Sequence, residues 1–181
     1  AHIHQSLWKD GKPAFFDDTD PLGMSPLMKQ YLAGLLSHSA EITYFLAPYI
    51  NSYKRFARGT FAPTRIIWSV DNRTAGYRIC GDCTAGVRVE CRIGGSDMNP
   101  YLAMAAQLAA GLSGIEAAIK LPEPAKGDVY KGRTAMLPTT LRDSRATLLK
   151  SKMLRTAFGA DVVQHYARAA EWEIEEFDRI V

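Results

Sequence analysis

Apolar and polar side chains alternate from the first residues of the chain. His2, His4 and Ser6 fall on one face of this pattern, and Ile3 and Leu7 fall on the other. Because successive side chains of a β-strand point to opposite faces, the pattern predicts a strand with one polar face. We expect that polar face to form one wall of a site.

Similar patterns predict the elements that follow. Ser25-Pro26 provides an N-cap and a first-turn proline for a helix with apolar spacing, and a longer helix starts at Asn99-Pro100. The remaining predicted elements are a short helix at 40–46, a Gly- and Pro-containing loop at 51–64, strands at 65–70, 76–79 and 87–93, a helix capped by Thr139 or Thr140, and an amphipathic helix at 160–181. The aliphatic face from Leu102 to Ile115 is interpreted as core packing. Strands early and helices late predict an α+β fold.

The length of 181 residues, with 47% hydrophobic and 23% charged residues, fits one soluble globular domain with its own core. No apolar run reaches the roughly 18 residues of a membrane span, and no basic-then-apolar leader opens the chain. A cytoplasmic location without a membrane partner is therefore expected. The chain begins at Ala1 in a strand pattern and ends at Val181 in an uncapped helical pattern, so we expect a fragment cut at both ends.

Positive charge is concentrated in one part of the chain. Residues 51–95 hold eight Lys or Arg and three Asp or Glu, whereas the whole chain has a formal net charge of +3. Nucleic-acid-binding arms are usually runs of basic residues, but these arginines stand singly among apolar neighbours. We therefore expect a small anionic ligand and no nucleic-acid partner.

A carboxylate stands between two arginines on the last predicted strand. Glu90 shares a strand face with Arg88 and Arg92, and it is a candidate partner for His2 and His4. An arginine–carboxylate row can be a salt-bridge ladder across a sheet, and a histidine pair can be a surface or core feature. The same groups can also hold a divalent cation beside an oxyanion, because imidazole and carboxylate bind metals and guanidinium binds oxyanions bidentately.

The three cysteines, Cys80, Cys83 and Cys91, do not complete a zinc site or a redox motif. The first two have the right spacing, but no helix is predicted to begin at Cys83, and no second pair follows. We interpret all three as reduced thiols.

Five ordered blocks resemble the signatures of the glutamine synthetase catalytic domain. They are Ala1 to Trp8, Asn51 to Arg55, Asp71 to Thr74, Arg88 to Arg92 and Asn99 to Ala103. The resemblance implies an α+β fold in which a curved antiparallel sheet packs against helices. It also implies that residues 1–181 are the C-terminal portion of that domain, and that a small β-grasp domain and the first part of the catalytic domain are missing.

The resemblance implies a two-step ligation that requires ATP and Mg²⁺ or Mn²⁺, in which glutamate is phosphorylated on its γ-carboxylate and a nitrogen nucleophile then displaces phosphate. By position, the implied metal ligands are His2 and Glu90, the nucleotide contacts are His4, Ser6, Arg73, Arg78 and Arg88, the catalytic residue is Arg73, and the glutamate-binding residues are Arg55 and Arg92. The other metal carboxylates and the general base are implied to lie elsewhere, so we expect the isolated chain to be inactive. A ring-shaped homo-oligomer is implied as well.

Phe61, six residues after Arg55, is the residue that indicates which nitrogen nucleophile is used. Members that use ammonium carry glutamate at this position, and a phenyl ring cannot hold or deprotonate ammonium. Phe61 and the sequence around it resemble the branch of the family that joins glutamate to amines or polyamines such as putrescine. In that interpretation Phe61 is a substrate-binding residue; the alternative is that it only packs the loop. A glutamine synthetase that uses ammonium and a catalytically silent structural or regulatory relative remain the alternative functions.

Overall fold

The computed structural model describes residues 1–81, 83–131 and 133–181. Its strands are β1 (Ile3–Gln5), β2 (Trp8–Lys9), β3 (Lys12–Pro13), β4 (Trp68–Val70), β5 (Tyr77–Cys80) and β6 (Arg88–Cys91). Its α-helices are α1 (Pro26–Ser37), α2 (Ser39–Leu46), α3 (Pro100–Glu116), α4 (Leu141–Lys150), α5 (Lys152–Phe158) and α6 (Ala160–Ile180), and 3₁₀ helices cover Ile50–Arg55 and Val129–Lys131. Among the described residues, no helix is both long enough and apolar enough to cross a bilayer. The predicted α+β class is confirmed.

The main sheet has the order β1-β6-β5-β4. The β1–β6 and β5–β6 pairs are antiparallel, as expected, while β4 and β5 run parallel. Alternation gives the sheet two different faces: Tyr77, Ile79, Val89 and Cys91 are at most 3% exposed and belong to the hydrophobic core. The intervening positions of β5 and β6 point the other way. The sheet therefore carries its polar side chains on the face opposite the core.

Helices α1 and α3 pack unusually closely because glycines meet at their crossing. A Cβ atom built on Gly34 would lie 2.3 Å from the carbonyl oxygen of Ala110, and one built on Gly114 would lie 2.5 Å from Gly34. The small face of α3 is therefore buried. Leu108 and Leu112 are 43% and 41% exposed, so the prediction that the aliphatic side of this helix is core packing is wrong for these two leucines.

Several predicted boundaries are confirmed by their caps. The Ser25 side chain accepts a hydrogen bond from the backbone of α1, and Thr140, of the two threonines considered, caps α4. The predicted loop at 51–64 is wrong at its start, where a 3₁₀ helix forms. The strand expected at 65–70 is regular only over Trp68–Val70.

Candidate active site

Three strands place one polar residue each in a single row across the sheet. His4 of β1 lies opposite Glu90 of β6, and Glu90 lies opposite Arg78 of β5. Side chains directly opposite on neighbouring strands point to the same face, so the three groups meet. Nε of Arg78 is 2.6 Å from Oε2 of Glu90, and Nε2 of His4 is 3.7 Å from Oε1.

Oε1 of Glu90, the oxygen on the side of His4, has two further partners. Oε1 of Glu90 lies 3.1 Å from Nδ1 of His2 and accepts a hydrogen bond from Nη1 of Arg92 at 3.0 Å. Glu90 is 2% exposed, so its charge needs these partners, because an isolated buried carboxylate is costly. We call His2, His4, Arg78, Glu90 and Arg92 the Glu90 cluster.

The surroundings of His2 favour its neutral imidazole. Burial and the Arg92 guanidinium lower the pKa of His2, and together they outweigh the opposing effect of Glu90. Neutral imidazole is the form that coordinates metal ions. The imidazole nitrogen of His2 and the carboxylate of Glu90 therefore lie side by side. Strand alternation predicted that each of them lies on a polar strand face.

Two more arginines extend the positive surface on either side. Nε of Arg88 donates to Nδ1 of His4 at 3.2 Å, which fixes the orientation of that ring. Arg55 donates from both terminal nitrogens to backbone carbonyls, to Ile93 at 2.7 Å and to Arg92 at 2.8 Å. Within the described part of the chain, neither Arg55 nor Arg88 has a carboxylate partner, so both charges remain available to an anion.

Arg73 and Phe61 line a separate cavity of about 600 Å³, here called the Phe61 cavity. Arg73 is linked to the Glu90 cluster through its backbone, because its carbonyl oxygen accepts a hydrogen bond from Nε of Arg92 at 3.0 Å. Phe61 is 60% exposed and has a φ of 56°, a conformation that costs a bulky residue energy. Leu22 and Val70 supply further apolar wall.

In the described part of the chain, Ser6 is the one predicted site residue that neither contacts the Glu90 cluster or its arginines nor lines the Phe61 cavity. It is exposed, and its hydroxyl accepts a hydrogen bond from the indole of Trp8 at 3.1 Å. It follows the end of β1, whereas His2 and His4 reach Glu90.

Sequence reasoning missed two residues beside the site. Asp71 lines the Phe61 cavity, has a φ of 42° and lies 3.5 Å from Nη1 of Arg78. Its signal was its position directly after the predicted buried strand, two residues before Arg73. The thiol of Cys80 lies 4.0 Å from Oε2 of Glu90. Its spacing with Cys83 was considered only as a zinc or redox motif, so its place beside the carboxylate was missed. All three cysteines are free, as predicted.

The arrangement is suited to holding anions with a metal ion. Arg78 and Arg92 contact the Glu90 carboxylate directly. Three more arginines, Arg55, Arg73 and Arg88, are hydrogen-bonded to other members of the Glu90 cluster. The excess positive charge favours oxyanions, which guanidinium groups bind bidentately. This polar face of the sheet thus brings metal-binding and oxyanion-binding types of side chain together.

A model of the family described as glutamine synthetase, catalytic domain, matches residues 1–181. The γ-glutamylethanolamide synthetase GlnA4 of Streptomyces coelicolor is 45% identical over the whole of this chain and 38% of its own length. A glutamate–isopropylamine ligase from a Pseudomonas species is 36% identical over the whole chain and 40% of its own length.

Solved structures also share the fold of this chain. The structure of a GmaS/ADP complex superimposes with a TM-score of 0.88 at 30% identity, and the match covers 98% of this chain and 43% of that one. The chain thus spans about two fifths of the length of the relatives it matches.

Proposed function

Because the chain belongs to the glutamine synthetase family, we propose that its protein is an ATP-dependent ligase that joins the γ-carboxylate of glutamate to an amine or polyamine through a γ-glutamyl phosphate. The observation that carries the proposal is the Glu90 cluster, in which imidazole, carboxylate and guanidinium groups meet on one sheet face. We also infer that residues 1–181 are the C-terminal portion of the catalytic domain.

The first half-reaction transfers a phosphoryl group between two anions, so it depends on positive charge that screens both. Arg55 and Arg92 are the proposed contacts for the carboxylates of glutamate. His4, Ser6, Arg73, Arg78 and Arg88 are the proposed contacts for the nucleotide, and Arg73 is the proposed catalytic residue at the transferred group. Ser6 is the weakest assignment of these, because it has no contact with the Glu90 cluster.

His2 and Glu90 are the proposed ligands of Mg²⁺ or Mn²⁺, and they fit this role in donor chemistry and proximity. When bound, the ion neutralises phosphate charge. Glu90 already has guanidinium partners on both oxygens, and the described residues contain no group of three or more His, Cys, Asp or Glu able to hold a metal. Further ligands must therefore come from elsewhere in the protein, and we predict that residues 1–181 alone are inactive.

The Phe61 cavity supports an organic amine as the nucleophile. Phe61, Leu22 and Val70 form an apolar wall that can contact a hydrocarbon body, whereas ammonium has none. The names of two relatives, a γ-glutamylethanolamide synthetase and a glutamate–isopropylamine ligase, agree with this choice.

The test is an assay of the full-length protein with ATP, Mg²⁺ and labelled glutamate, offering isopropylamine, ethanolamine, putrescine or ammonium in turn. We expect an amine to be the preferred nucleophile. We expect Phe61→Glu to raise the ratio of ammonium to amine use, and Phe177→Glu, an exposed phenylalanine that does not line the cavity, to leave the ratio unchanged. Consumption of ammonium alone by the native protein contradicts the amine proposal and supports a glutamine synthetase.

Failure to form ADP with every nucleophile supports the other alternative, a silent structural or regulatory relative. Two further predictions accompany the proposal. A ring-shaped homo-oligomer is expected, and mass measurement by light scattering tests it. A cytoplasmic location is expected because three free thiols suit a reducing compartment.

A further inference from the structure

A second cavity, of about 730 Å³, lies between the end of α2, the segment that precedes α3, and α6. None of the residues that line it belongs to the Glu90 cluster or to the Phe61 cavity. Its volume falls in the range of small-molecule sites. We call it the α6 cavity.

Aromatic side chains dominate its wall. Tyr44, Tyr49, Tyr166 and Trp172 all line it, and the rings of Tyr44 and Tyr166 have centroids 6.3 Å apart. Trp172 is 59% exposed and lies on the rim. Several ring faces around one space can stabilise a cation through their quadrupoles.

Tyr44 offers a hydroxyl group to the α6 cavity. The residue is only 6% exposed, yet within the described part of the chain its hydroxyl forms no hydrogen bond. Burial, and then the nearby Tyr166, Tyr49 and Glu173, together raise the pKa of Tyr44 to about 12. A phenolic hydroxyl can both donate and accept, so one that lines a cavity without a protein partner is free to bond a ligand there.

Among the described residues that line the α6 cavity, two carboxylates stand against one arginine, and the imidazole of His165 completes the titratable groups. Asp97 and Glu173 are its acids, and in the described residues Glu173 has no ion-pair partner. Arg168 is the single arginine or lysine of the lining, and it is already paired with Glu171 at 2.5 Å and lies 3.8 Å from Glu175. A cationic ligand would therefore meet unpaired carboxylate charge.

We propose that the α6 cavity binds an organic ammonium ion, a protonated alkylamine, at a second site outside the proposed active site. The aromatic rings and Glu173 take the charge, the Tyr44 hydroxyl accepts a hydrogen bond from the ammonium group, and Leu102 and Phe45 contact the hydrocarbon body. One hydrogen bond links this site to the 3₁₀ helix of the proposed glutamate contact. Asp97 accepts it from Ser52 at 2.6 Å, in the 3₁₀ helix that also carries Arg55.

The inference does not depend on the ligase activity, because the test measures binding without ATP, glutamate or divalent metal. Butylammonium chloride is titrated into the full-length protein by calorimetry, and tryptophan fluorescence, to which Trp172 contributes, is followed in parallel. We expect saturable binding of butylammonium and binding of the neutral analogue 1-butanol that is weaker by about tenfold or more, the ratio that one charge-assisted contact provides.

Variants locate the bound amine. We expect Glu173→Gln to weaken binding about tenfold and Tyr44→Phe to weaken it severalfold, while the matched control Glu176→Gln, on the same helix but outside the cavity, has no effect. If Glu173→Gln proves unstable, the Tyr44→Phe result decides, since the hydroxyl it removes has no structural partner. The proposal is overturned if the native protein does not bind the amine, if 1-butanol binds equally well, or if Phe61→Ala rather than the α6-cavity variants abolishes binding.

Discussion

Replacing Glu90 by glutamine keeps the size of the side chain and removes its charge. Nε of Arg78 and Nη1 of Arg92 then lose a carboxylate at 2.6 and 3.0 Å, and the side chains of these arginines are only 16% and 7% exposed. Removing one partner of a buried ion pair costs about 3–5 kcal/mol, because the other charge stays buried and uncompensated. Since Arg78 keeps some contact with water, we expect the lower end, about 3 kcal/mol.

Native-state hydrogen exchange measures this loss where it acts, even in a large assembly. The amides of Ile79 and Val89, which pair between β5 and β6, should exchange about 100-fold faster in Glu90→Gln, because each 1.4 kcal/mol of opening free energy is a factor of ten. Glu116→Gln, at the exposed end of α3, is the matched control and should change the opening free energy by no more than about 0.5 kcal/mol. Unchanged exchange in Glu90→Gln refutes the claim that Glu90 compensates the two buried guanidiniums.

Three further substitutions test other parts of the structure. Gly114→Ala should destabilise the protein by about 2 kcal/mol, because its new methyl group would lie 2.3 Å from a carbonyl oxygen of α1; a higher melting temperature contradicts this close crossing. Burial opposes ionisation of Glu41, but hydrogen bonds from His38 and Ser151 lower its pKa below the usual value, so the stabilisation it provides is present above the unfolded-state pKa and is lost as pH falls through the lower folded-state pKa. The difference in unfolding free energy between the native protein and Glu41→Gln, about 1 kcal/mol near neutrality, should therefore disappear in acid, and a difference that persists at low pH contradicts this account. Asn99→Ala removes the N-cap of α3 and should cost about 1 kcal/mol, seen as faster exchange in its first turn; unaltered protection there argues against the cap.

Helix starts were predictable because their determinants are local. Ser25 and Thr140 cap the helices that follow them through bonds to backbone groups three residues away. The 3₁₀ helix at Ile50–Arg55 was missed because it is tied by the bond from Ser52 to Asp97, which is 45 residues distant in sequence. No local pattern reports such a contact.

The same distinction applies to the candidate site. The proximity of His4 and Glu90 followed from strand alternation, since each lies on the polar face of its own strand. The place of Asp71 beside Arg78 depends on β4 pairing in parallel with β5, which sequence periodicity does not specify. The exposure of Leu108 depends on glycine contacts between α1 and α3, so hydropathy alone assigned it to the core.

The two carbonyl bonds of Arg55 have a consequence for affinity. An arginine side chain carries about 2 kcal/mol of rotamer entropy, and a flexible one loses much of this when it captures a ligand. Here the guanidinium is already immobilised by the backbone of Arg92 and Ile93. The Arg55 side chain is therefore held rigidly. At this proposed glutamate contact, Arg55→Lys keeps the positive charge but loses both carbonyl bonds, so we expect weaker glutamate binding because the side chain is no longer held in place.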